Sequence, residues 1–69
     1  MKIEIKNFTL QDNIKDEFVS LLSKILSCNS YKEIKDNVKN TNNFYCYFGN
    51  SHISVYDINN RKKIVLIEF

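Results

Sequence analysis

The pattern of these 69 residues predicts an α+β fold of order β-α-α-β-β-β, an antiparallel sheet with two helices packed on one face. Three observations carry that expectation. Lys2 to Asn7 alternates charged and aliphatic residues, the period of a half-buried strand. Apolar residues then recur at helical spacing from Leu10 to Ile25, and again more briefly after Ser30. Finally, the segment from Phe44 to Phe69 holds three strand-like runs separated by Gly49-Asn50 and Asn59-Asn60.

In the first strand Ile3 and Ile5 face one way and Lys2, Glu4 and Lys6 the other. Thr9, with Asp12 three residues on, reads as the N-cap of the first helix. Leu10, Ile14, Phe18, Leu21, Leu22 and Ile25 form its apolar stripe, with Asp12, Asp16 and Glu17 early and Lys24 late, as the helix dipole favours. This helix is expected to end near Ser27. Ser30-Tyr31-Lys32-Glu33 is a fuller capping box, and Tyr31, Ile34, Lys35 and Val38 predict a second helix of about three turns.

The two turn pairs test each other. With Gly49-Asn50 as a two-residue loop, Cys46 lies opposite Ile53 and Phe44 opposite Val55. With Asn59-Asn60 as the second loop, residues that tolerate a positive φ, Val55 lies opposite Ile64, Ile53 opposite Leu66 and Asp57 opposite Lys62. Both registers gather Phe44, Cys46, Ile53, Val55, Ile64 and Leu66 on one face, and a one-residue slip in either would undo the match. The first strand is expected beside the last.

The opposite face then carries Tyr45, Tyr47, His52, Ser54, Tyr56, Lys63, Val65, Ile67 and Phe69. Two helices are too few to cover both faces, so this one is expected to meet solvent or a partner. An exposed apolar patch rimmed by polar groups marks an interaction site, and tyrosine is enriched at protein interfaces. The expected partner-binding residues are Tyr45, Tyr47, His52, Tyr56 and Lys63, with Arg61 and Lys62 at the adjoining turn as a phosphate contact. The apolar C-terminal strand, if it forms a sheet edge, would allow a homodimer by sheet extension.

Composition bounds the function. A chain of this length makes one domain, 1–69, with a thin core. Two cysteines fall short of a disulfide framework and fit a reduced, cytoplasmic protein. No stretch reads as a signal peptide or approaches the roughly 20 apolar residues of a membrane span. A formal net charge of +2 is too small for a dedicated DNA binder and of the wrong sign for a DNA mimic. The single glycine excludes a glycine-rich phosphate loop. His52 has Ser54 on its face but no orienting group, and Cys28, Cys46 and His52 lack the spacing of a zinc site, so neither catalysis, a metal nor a cofactor is expected. The abundance of Asn, Lys and Ile, with no proline, points to an A/T-rich genome such as that of a phage, a plasmid or a low-GC bacterium.

The element order and the terminal hairpin ISVYDINNRKKIVLIEF resemble the small ribosome-dependent mRNA-cleaving toxins of the RelE/ParE type. That resemblance covers about the last third of the chain and implies a similar sheet. The arginine-rich strand that the family places before the turn is NNFYCYFGN here, so no catalytic residue carries over. The leading expectation is a small protein-binding module, a phage or mobile-element accessory protein that inhibits or adapts a host complex, an anti-CRISPR inhibitor being one example. Its partner would be a host protein or a second copy of itself. The alternative is a toxin-like RNA-cleaving or RNA-binding domain, in which Tyr45, Tyr47, His52, Tyr56 and the Arg61–Lys63 turn would meet the nucleic acid.

Overall fold

The computed structural model describes residues 1–6 and 9–69. It has the predicted order: β1 (Lys2–Ile5), α1 (Asp12–Leu26), α2 (Tyr31–Asn37), β2 (Phe44–Phe48), β3 (His52–Asp57) and β4 (Lys62–Glu68). The strands form one antiparallel sheet in the order β1-β4-β3-β2. β1 lies beside β4, as expected. β4 is therefore interior, paired on both sides, and the homodimer through the C-terminal strand has no free edge to use.

The α1 stripe buries Ile14, Phe18, Leu21 and Ile25 against the sheet, with the Phe18 and Phe44 rings 5.6 Å apart. The helix starts later than Thr9 suggests. Its N-cap is Gln11, whose side chain makes no capping bond, and Leu10 is buried just ahead of it. Burial of Leu10 in the core thus outweighs the local capping signal. The C-cap is Ser27, as expected. α2 is two turns long rather than three, because Val38 leaves helical φ/ψ to enter the core. Half of its capping box forms: the Glu33 amide donates to Ser30 Oγ at 3.2 Å, while the Glu33 carboxylate accepts from the amide of Asn29, one residue before the N-cap, at 3.4 Å. The Tyr31 hydroxyl donates to the Gly49 carbonyl at 2.6 Å and ties α2 to the β2–β3 turn.

Both hairpins depart from the expected register. β2 pairs with β3 two residues further along than a Gly49-Asn50 loop requires, so Phe44 faces Asp57 and Cys46 faces Val55. The Gly49 amide donates to the His52 carbonyl at 2.8 Å, which makes Asn50-Ser51 the turn pair. A shift of two keeps every side chain on its predicted face. Gly49 has no positive φ; a Cβ on it would lie 2.4 Å from the His52 ring, so a side chain there would have to displace the imidazole.

The β3–β4 register agrees with expectation at Tyr56↔Lys63 and Asp57↔Lys62, then shifts at a β-bulge to Val55↔Val65 and Ile53↔Ile67. Ile64 is the extra residue. The bulge turns the rest of β4 over. Val65 and Ile67 join Ile64 in the core, fully buried, while Leu66 moves to the opposite face. The turn is four residues long, with the positive φ at Arg61 (54°) rather than at the asparagines. Asp57, buried, organises it: Oδ1 accepts from the Asn59 and Asn60 amides, and Oδ2 from Asn60 Nδ2 at 2.7 Å. Lys62 lies opposite Asp57 as expected, but the carboxylate is spent on the turn.

Candidate protein-binding face

Period-2 geometry and the observed pairs place the helices on one side of the sheet and three rows of side chains on the other. The first row is Tyr45, Tyr56 and Lys63; the second is Tyr47, Ser54, Leu66 and Glu4; the third is His52, Glu68 and Lys2. All five residues expected to bind a partner thus share one face. Tyr45 and Tyr47 are 45% and 47% exposed, His52 and Tyr56 are half-buried, and Lys63 is exposed.

The rings are grouped. Tyr45 and Tyr56 lie 6.3 Å apart across the β2–β3 ladder, and Tyr47 lies 5.8 Å from His52 on the diagonal. Lys63 Nζ sits 5.9 Å from the Tyr56 ring centre, within cation–π range. Beneath them Ser54 is fully buried, enclosed by Tyr47, Leu66, His52 and Tyr56, and its Oγ has no hydrogen-bond partner. Lys6 pairs with Glu4 along the β1 side. The Lys6 ammonium, by hydrogen bond and charge, holds the Glu4 carboxyl below its ordinary value.

Three residues expected here lie elsewhere. Val65 and Ile67 are in the core, and Phe69 turns to the helix side, its ring 5.3 Å from Tyr31. The bulge is the cause for the first two. Sequence reasoning missed Leu66 for the same reason. It also left out Lys2, Glu4 and Glu68, although the charged side of β1 was legible and needed only the strand order to be placed. Arg61 and Lys62 are exposed at the turn beside the Tyr45–Tyr56 row.

Ser54 and His52 are neighbours on the face, and Ser54 Oγ makes no bond to the imidazole. Both cysteines are free and buried; burial pushes the Cys46 thiol up to about 11. Among the described residues, no helix is long and apolar enough to cross a membrane, and no three His, Cys, Asp or Glu side chains are grouped to hold a metal ion. No family model, curated protein or solved structure matches the chain.

Proposed function

We propose that the domain is a small protein-binding module that holds a partner against its tyrosine face, acting as an inhibitor or adaptor of a larger host assembly. The observation that supports this reading is the pair Tyr45 and Tyr47, nearly half exposed on an edge strand and backed by Tyr56 and His52. Tyrosine gives a large contact area at low conformational cost, with a hydroxyl to satisfy a polar group on the partner. The charges around the rings are mixed: Lys2, Lys6 and Lys63 alternate with Glu4 and Glu68. A surface for the phosphate backbone would gain from uniform positive charge, whereas a mixed rim suits a protein. Free buried thiols are in keeping with the cytoplasm, that of the host if a phage encodes the chain.

The RNA reading draws on one observation, the lysine over Tyr56 next to Arg61 and Lys62. Affinity capture from a low-GC bacterial lysate, with and without nuclease, separates the two. A stoichiometric protein that survives nuclease and is lost with Tyr45→Ala/Tyr47→Ala is the expected result. Capture that disappears with nuclease, or that fails when Arg61, Lys62 and Lys63 are neutralised, would transfer the assignment to RNA.

A further inference from the structure

The two edges of the sheet are finished differently. At β2 the outward groups of Phe44 and the outward amide of Cys46 are occupied by the preceding loop. The Phe44 amide donates to Thr41 Oγ1 (3.1 Å), the Thr41 amide donates to the Phe44 carbonyl (3.0 Å), and the Cys46 amide donates to Asn40 Oδ1 (2.8 Å). Such capping blocks strand addition.

β1 has no such cover among the described residues. The Lys6 amide donates to the Ile64 carbonyl at 2.9 Å. Antiparallel ladders alternate, so Lys2, Glu4 and Lys6 direct their backbone groups at β4, while Ile3 and Ile5 direct theirs away from the sheet. The strand and the residue before it expose apolar area, with Ile5 51% and Met1 58% accessible.

We propose that a second copy of this chain pairs at this edge, β1 antiparallel to β1, with Ile3 on the twofold axis. The backbone permits only registers in which an outward-bonding residue meets another. In the register with Ile3 opposite Ile5 of the partner subunit, Glu4 would face the partner's Glu4 and Lys2 the partner's Lys6, which repel. The register centred on Ile5 also sets Glu4 against the partner's Lys6, but within Lys2–Ile5 it pairs only Ile5, where centring on Ile3 pairs Lys2, Ile3 and Glu4. The register centred on Ile3 pairs Lys2 with the partner's Glu4 and Glu4 with the partner's Lys2, and sets Met1 against the partner's Ile5 on the helix side. Charge on a short edge strand ordinarily resists addition; here the order Lys-Ile-Glu is self-complementary about Ile3, the register that also pairs the most of the strand. The product is an eight-stranded sheet whose two tyrosine faces lie side by side.

Sedimentation equilibrium of the full chain tests this. The mass should rise with concentration from the 8.2 kDa of the single chain to twice that value. Glu4→Lys sets two like-charged pairs across the axis and should raise the dissociation constant about tenfold, and adding Lys2→Glu to it should restore the dimer. Ile5→Pro deletes an outward amide without touching the β4 ladder and should give monomer. Tyr47→Ala should leave the mass unchanged, so the outcome is independent of the tyrosine-face reading. A single-chain mass at every concentration, or a dimer indifferent to both Glu4→Lys and Ile5→Pro, overturns the proposal.

Discussion

Ser54 and Cys46 show how single side chains on the middle strands are committed. A hydroxyl buried without a partner costs about 1–3 kcal/mol relative to one that is satisfied. Ser54 Oγ is in that position at the centre of the tyrosine face. Ser54→Ala should therefore raise stability, by about 1 kcal/mol, seen as a higher urea midpoint at unchanged m. A lower midpoint would show that the hydroxyl is satisfied in solution. Cys46 points the other way, into the core, and burial raises its thiol pKa from 9.0 to about 11. A raised folded-state pKa means that the folded chain binds more protons than the unfolded chain between those values, so its stability contribution is intact below pH 9.0 and lost as pH climbs through that window. Wild type should thus lose stability more steeply than Cys46→Ala from pH 9.0 to about 11, measured as the difference between their denaturation midpoints. Parallel pH curves would contradict the assigned burial.

At the scale of elements, α1 and α2 were legible because their apolar spacing and the Ser30–Glu33 box are local signals, and only their ends moved. The hairpins were legible in which residues face inward on β2 and β3, less so in register. In the first, the glycine suggests a turn that needs a positive φ, whereas its use is to make room for the His52 ring. Gly49→Ala should accordingly cost about 1 kcal/mol through the displaced imidazole, and His52→Ala in the same chain should remove most of that cost, by double-mutant denaturation. An equal cost in both backgrounds would mean that the backbone itself is strained. In the second hairpin, the run Ile64-Val65-Leu66-Ile67 has no polar residue to mark alternation, so nothing in it reveals which position is the bulge. Tyr45, Tyr47, Tyr56 and Lys63 kept their predicted face because they lie on β2 or on the turn side of the bulge. Val65, Leu66 and Ile67, beyond it, exchanged faces.

For the whole molecule, the two helices and the inner side of the sheet account for one core, in which Phe44, Ile34, Ile53, Val55, Ile64 and Ile67 are fully buried. Among the described residues both helices lie on one side of the sheet, and no second helical layer covers the other. The open face follows from that arithmetic of layers, and its tyrosines are what distinguish it from an ordinary solvated sheet. The central claim is that this face, rather than the basic turn, holds a protein partner. The most direct test is the dissociation constant of the captured partner for wild type and for Tyr47→Ala, at low and at high salt. The account predicts a loss of about 2 kcal/mol, roughly thirtyfold, on removing the ring, with little change between the two salt concentrations. A folded Tyr47→Ala domain that binds as wild type, or an affinity that collapses with salt whether or not the ring is present, would contradict it.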